Sequence, residues 1–256
     1  MNNLHDYKRG DGKMPELTVK AALMQEILGM STKPVAVKFY EEFERLESYQ
    51  LPKKRRYCQV LMEARRGKHL LLTPENVACP AAAWALGFKE PPDRLSSGEM
   101  PAAMGIFGSP EAVVHTFSTM QRLDMGKYKM VAVCPLGDAA FEPDVVVVES
   151  LAEHLMWISL ACVFKTGGRL HFDTAVLQAT CVDVTITPFV QSRLNMSIGC
   201  YGCREATDLS EGECVLGFPA ELLDPIVESL QALQEKAIPR VRSKNVYRAL
   251  LERSEG

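Results

Sequence analysis

Hydrophobic and polar positions recur along this chain with two periods, and the local period predicts the element. Over residues 15–29, Leu17, Ala21, Leu23, Met24, Ile27 and Leu28 fall at helical spacing and form a broad apolar face. Pro15 suits the first turn of that helix and Gly29 its stop. Residues 34–40 alternate as a strand. Residues 57–67 return to the helical period, with Val60, Leu61 and Ala64 inward. Arg65, Arg66 and Lys68 lie near the end of that helix, where positive charge suits the dipole. A short apolar run, 69–72, is followed by turn chemistry at Thr73-Pro74-Glu75. An alanine-rich helix then starts at Pro80 and ends at Gly87.

Residues 90–108, rich in Pro, Gly and Ser, predict a surface loop. A helix follows to about Leu123, with Val113, Val114, Phe117 and Met120 as its stripe. The β-branched stretches 128–135 and 144–149 predict strands, and the unbroken Val145–Val148 run predicts a strand covered on both faces. Residues 151–166 are apolar nearly all round and predict a central helix ended by Gly167-Gly168. Strands are expected at 169–172, 182–186, 195–201 and 213–218, and helices at 219–236 and 243–253. Many of these strands are joined without the helical crossover that a parallel pair requires. The pattern therefore predicts an α+β fold, with a mixed, mainly antiparallel sheet and flanking helices. It forms a single domain over 1–256, with a two-lobed split near residue 125 as the variant arrangement.

Composition narrows the class. The chain has 256 residues, 47% of them hydrophobic, so it is not disordered and can bury a core without metal or disulfide staples. Its 29 Lys+Arg against 32 Asp+Glu give no electrostatic case for nucleic acid or an anionic membrane. Residues 1–13 are polar and charged, unlike a signal peptide, and the longest apolar run, 155–164, is half the roughly 20 residues a spanning helix needs. These features predict a cytoplasmic protein whose eight cysteines are reduced thiols.

Those cysteines carry the most specific chemistry. Gly199-Cys200-Tyr201-Gly202-Cys203-Arg204 holds two thiols two residues apart, which can face one metal atom, act as a redox dithiol, or sit together by coincidence. A redox CxxC opens a helix after a strand, whereas residues 205–213 here read as a polar turn. No second CxxC completes a zinc ribbon. Cys58 follows Lys53, Lys54, Arg55 and Arg56 at a helix start, and Cys79 stands at the N-cap before Pro80. Unpaired N–H groups there favour the thiolate, and Cys-Pro also closes ferredoxin-type motifs. Each is equally read as a small buried hydrophobe. Cys181 is the reserve ligand; Cys134, Cys162 and Cys214 read as core or end-of-strand residues.

The series Pro34-Val-Ala-Val-Lys38-Phe39, Cys58-Gln59 with Ala64-Arg65-Arg66-Gly67-Lys68, Cys79 with Leu86-Gly87, and Ser197-Ile-Gly-Cys200-Tyr-Gly-Cys203-Arg204 resembles the archaeal cysteine-rich (ArCR-like) proteins, domain of unknown function 169, over about residues 18–235. The resemblance implies a prokaryotic protein of unassigned activity, with family cysteines at Cys58, Cys79, Cys181 and Cys200. It implies that the position of Cys203 often carries another residue, such as Asn, which weighs against Cys203 and raises Cys181. Thiolates spread from Cys58 to Cys200, with no paired histidine, suit iron–sulfur or zinc better than hard cations, and favour a [4Fe–4S] cluster over zinc.

Lys38 in an apolar strand and Arg204 after the CxxC are candidate substrate contacts; the alternatives are an edge-strand lysine and a surface salt bridge. Gly105–Gly108 lacks the ending of a P-loop and reads as a turn, and the basic stretch from Lys236 onward as a solvated helix face. Three functions follow. The first is an iron–sulfur protein for redox or Lewis-acid chemistry, serving a small molecule or a redox partner, with self-association open. The second is a zinc-binding or metal-free small-molecule-binding or regulatory module. The third is a thiol oxidoreductase using Cys200 and Cys203. Catalytic residues are not assigned by the pattern.

Overall fold

The computed structural model describes residues 16–254, so Pro15 and the polar stretch 1–13 lie outside the described residues. Six strands form one sheet: β1 Val35–Tyr40, β2 Leu70–Leu72, β3 Met130–Pro135, β4 Val145–Leu151, β5 Asn195–Ser197 and β6 Glu213–Pro219. Their order is β2-β3-β1-β4-β6-β5, and every ladder is antiparallel. Among the described residues, parallel pairing occurs only as the isolated bridges Gln50↔Leu70 and Arg55↔Val77. The fold is α+β, with strands from both sides of residue 125 in the same sheet.

The helices are α1 Glu16–Leu28, α2 Tyr57–Ala64, α3 Pro80–Ala85, α4 Asp93–Ser96, α5 Glu99–Ala103, α6 Pro110–Thr119, α7 Ala152–Val163, α8 Thr187–Gln191, α9 Tyr201–Ala206, α10 Leu223–Glu235, α11 Ala237–Ser243 and α12 Asn245–Ser254. Strand alternation sends side chains to two separate cores. Val35, Val37, Phe39, Val145 and Val147 join Tyr57, Leu61, Val184 and Ile186 on one face. Ala36, Val146, Val148 and Phe218 join Met24 and Leu28 of α1, Leu155 and Ile158 of α7, and Ile226 and Leu230 of α10 on the other. The Val145–Val148 run is buried on both sides because both faces are covered, as its sequence predicts. Arg242 of α11 donates to the carbonyls of Ile27 and Leu28 at 3.2 and 2.7 Å, capping the end of α1. Among the described residues, no helix is long and apolar enough to cross a membrane.

Four expectations are corrected. Residues 90–108 carry two short helices, α4 and α5, rather than only loop. No strand forms at 169–172, and residues 182–186 belong to an eight-residue π-helix, Ala179–Ile186, every residue of which is buried. Val182, Val184 and Ile186 are apolar because they are enclosed, so their β-branched composition does not mark a pleated surface here. Gly217 of β6 lets this π-helix approach, since a Cβ there would lie 1.8 Å from the Val184 carbonyl oxygen. Finally, the strand expected over 195–201 stops at Ser197, and α9 begins at Tyr201 with Cys200 as its N-cap.

Candidate functional site

Four separate stretches of chain deliver thiols to one pocket. Cys58 lies in the first turn of α2, whose start is fixed by the Arg56 N–H donating to Gln59 Oε1 at 3.0 Å. Cys79 is the N-cap of α3, with Pro80 in the first helical position. Cys181 is held in the buried π-helix. Cys200 caps α9, its Sγ accepting the Cys203 N–H at 3.4 Å, and Cys203 follows inside that helix. All five line a half-open pocket of about 100 Å³, together with Arg56, Gln178 and Thr180. That is several times the roughly 10–15 Å³ needed to admit one water.

The thiols interact with one another. Cys200 Sγ and Cys203 Sγ are 3.0 Å apart, and Thr180 Oγ1 lies 3.5 Å from Cys203 Sγ. Cys203 also lies within electrostatic reach of Cys58, and Cys181 within reach of Cys79, Cys200 and Cys203. The bond to Cys203 and then burial push the Cys200 thiol far up, against backbone N–H donation from Ala179 and Cys203. For Cys203 the Cys200 contact pulls downward, but the Cys58 contact and burial outweigh it, leaving the thiol at about 11. Burial, reinforced by the neighbouring sulfurs, raises Cys181 well above the usual thiol range. Burial works against the Arg56 charge, yet the Glu205 bond at 3.1 Å and the nearby Cys79 and Cys58 raise its pKa overall. Arg56 is thus a cation held beside two of the thiols.

Among the described residues, no group of three or more His, Cys, Asp or Glu is so placed that it could hold a metal ion. Sulfurs sharing a tetrahedral centre at about 2.3 Å sit roughly 3.8 Å apart, so the Cys200–Cys203 pair at 3.0 Å is closed up relative to ligation. The donor chemistry nonetheless fits a thiophilic group: five thiols, one adjacent cation, and neither a carboxylate nor an imidazole in the lining.

The other candidates lie elsewhere. Lys38 is on the central strand β1, not an edge, and shares its face with Ala36 and Tyr40, away from the pocket. There it pairs with Asp144 at 2.8 Å. Arg204 donates to the carbonyls of Ser210, Ile198 and Glu213 at 2.9, 2.6 and 3.0 Å, so it clamps the loop after α9, and it is not among the residues lining the pocket. Cys134, Cys162 and Cys214 pack on the opposite side of the sheet. The polar turn expected after the CxxC is present at residues 207–212, but α9 precedes it, so the dithiol does open a helix after a strand.

Sequence reasoning passes over Gln178 and Thr180. Gln178 is 6% exposed and has left-handed backbone at φ 59°. Its Nε2 donates to the Ala81 carbonyl at 2.7 Å, while its Oε1 is buried without a hydrogen-bond partner. The available signal was two polar residues set just before a candidate ligand, between Val176-Leu177 and Val182.

The chain matches the model of domain of unknown function 169, described as uncharacterised ArCR, over residues 23–229. It is 28% identical to an uncharacterized protein of Methanocaldococcus jannaschii over 224 residues, covering 86% of this chain and 96% of that protein. No solved structure matches the chain significantly. The chain belongs to the family of uncharacterised ArCR proteins.

Proposed function

We propose that this ArCR-family chain is a metalloprotein that holds an iron–sulfur cluster on Cys58, Cys79 and Cys200, with Cys181 or Cys203 as the further ligand. The observation that carries the proposal is the convergence of five cysteines from distant stretches on one pocket. When bound, such a cluster supplies electron transfer or, at an iron left open, Lewis-acid chemistry. The chain's own residues prepare the site. Arg56, fixed by Glu205, offsets negative charge on Cys58 and Cys79. Backbone N–H groups of Ala179 and Cys203 hydrogen-bond to Cys200 sulfur and stabilise its thiolate. Raised thiol pKa values mean that binding must displace protons, so affinity rises with pH.

Iron, zinc and acid-labile sulfide analysis of protein purified without oxygen tests this proposal. Iron with matching sulfide supports the cluster. Stoichiometric zinc without sulfide selects a structural or regulatory zinc site on the same thiols. Protein free of both under those conditions, and unable to take up iron and sulfide on reconstitution, overturns the metal proposal.

A second function, a thiol oxidoreductase at Cys200 and Cys203, is favoured by their 3.0 Å separation and by the strand–CxxC–helix order. It predicts a reversible disulfide between these two that survives serine replacement of Cys58 and Cys79.

A further inference from the structure

The five pocket thiols differ in access. Cys79 is half-exposed, while Cys58, Cys181, Cys200 and Cys203 are buried. Cys200 and Cys203 keep only 6 and 3% of their surface, yet their sulfurs stand 3.0 Å apart, about 1 Å outside a disulfide bond. The Cys203 N–H donates to Cys200 Sγ at 3.4 Å, and Thr180 Oγ1 lies 3.5 Å from Cys203 Sγ. These contacts hold the two sulfurs against each other, so closing the pair needs little movement. What can oxidise the pair is limited by size. Exchange with a partner's disulfide passes through a mixed disulfide, so a sulfur with its carbon attached must come up to the attacking thiolate. Sulfurs this deeply buried do not admit the disulfide of a folded protein. The pocket, about 100 Å³, is smaller than the roughly 150 Å³ cavity that takes benzene, so its occupant has only a few non-hydrogen atoms.

Such an occupant must carry two oxidising equivalents in those few atoms and leave as an anion that the lining can receive. Among the described residues, Arg56 is the only charged side chain in the lining, and Glu205 holds it at 3.1 Å. A fixed cation of this kind stabilises negative charge as it develops. From this we infer that the Cys200–Cys203 dithiol reduces a small hydroperoxide, hydrogen peroxide or a short alkyl hydroperoxide, inside the pocket. The Cys200 thiolate, its proton given to solvent, attacks the terminal peroxide oxygen. An S–O bond forms, the O–O bond breaks, and the departing hydroxide or alkoxide takes a proton to become water or alcohol. The Cys203 thiol then attacks the sulfenic sulfur, the S–S bond forms, and the hydroxyl leaves with the Cys203 proton as water. The two thiols lose two electrons and the peroxide gains them. Two molecules of a small thiol, themselves oxidised to a disulfide, return the pair to its dithiol form. The inference rests on the oxidoreductase function proposed above, not on the metal proposal, and names its substrate.

The test uses the full chain, purified and reduced without oxygen, with hydrogen peroxide, cumene hydroperoxide, glutathione disulfide and diamide as oxidants. Each rate is divided by that of free cysteine with the same oxidant at the same pH, and mass mapping identifies the product. Hydrogen peroxide is expected to form the Cys200–Cys203 disulfide. Its rate ratio should exceed that of cumene hydroperoxide at least about fivefold, the low-end cost of forcing surplus carbon into a filled space. Glutathione disulfide should be slower again. In Cys203→Ser, which lacks the partner thiol, dimedone should trap sulfenic acid at Cys200 and not at the more exposed Cys79. The wild-type disulfide map and size order do not depend on that variant folding. Peroxide that oxidises Cys79 first, or a ratio no higher than those of the larger oxidants, overturns the inference. A Cys200–Cys203 disulfide made by diamide then leaves the oxidoreductase function standing. No such disulfide with any of the four oxidants overturns both.

Discussion

The two faces of the sheet are built from the same strands and solve different problems. On the closed face, α1, α7 and α10 lie against Ala36, Val146, Val148 and Phe218, and the packing is almost wholly apolar. On the thiol face, short helices and a π-helix cover Val37, Val145 and Val147, and Arg65, Gln178, Thr180 and Asp183 of the covering segments, with Glu149 of β4, are buried polar groups. The eight cysteines sort the same way. Cys134, Cys162 and Cys214 pack on the closed face, and the five others on the thiol face. A face that needs only stability uses long helices and hydrocarbon. A face that must hold chemistry accepts short elements, irregular backbone and polar groups whose burial costs free energy.

The largest expected effect tests that sorting directly. Serine at Cys58, Cys79 or Cys200 should lower metal retention by at least about 100-fold, beyond what loss of a supporting contact costs. Serine at Cys134, Cys162 or Cys214 should leave metal content unchanged, whatever it does to stability. Metal and sulfide analysis of the six variants decides it, and equal losses on both faces would break the distinction.

How much of this was legible in sequence follows from what each feature depends on. The Val145–Val148 run declares a doubly covered strand because burial on both faces is a local composition signal. Cys58, Cys79 and Cys200 were readable because helix starts and a CxxC are local patterns. The π-helix was not readable, since β-branched residues enclosed on all sides resemble a strand. The three carbonyl partners of Arg204 come from chain folded back on it, which no local spacing reveals. The partner of Lys38 is longer-range still, as Asp144 lies 106 positions away. Gln178 depends on an amide orientation and a backbone angle that no spacing reveals.

Adjacent residues of β6 allow a finer contrast. Gly217 meets the π-helix on the thiol side, and Phe218 is fully buried on the closed side. Phe218→Ala should cost about 3–5 kcal/mol by leaving a cavity, with metal affinity per folded molecule unchanged. Gly217→Ala forces a methyl group into the Val184 carbonyl and displaces the helix that holds Cys181, so it should cost about 1–3 kcal/mol as overpacking and also weaken metal binding. Urea unfolding with metal titration separates the two outcomes. A Gly217→Ala protein with normal metal affinity would show that the π-helix is not part of the site.

The smallest effect concerns charge. Arg65, 4% exposed, stands 3.5 Å from Glu149 and 3.0 Å from Glu213, tying α2 to β4 and β6. Burial raises Glu149 from 4.5 to about 7 despite the opposing Arg65 charge, and burial likewise raises Asp183 from 3.8 to about 6. Both folded-state values lie above the unfolded ones, so between about pH 4 and 7 the folded chain holds protons that the unfolded chain has released. Stability contributed by these groups is therefore full at the acid end and falls as pH rises through that window. For Glu149 alone the loss amounts to about 3 kcal/mol at full ionisation. The wild-type urea midpoint should accordingly decline from pH 5 to pH 8. Glu149→Gln removes the larger part of the decline and leaves the share of Asp183, while a glutamine retains the shape beside Arg65. An unchanged pH slope in Glu149→Gln would mean that Glu149 stays ionised against Arg65 throughout, and the thiol face would then carry a permanent buried ion pair rather than a titrating one.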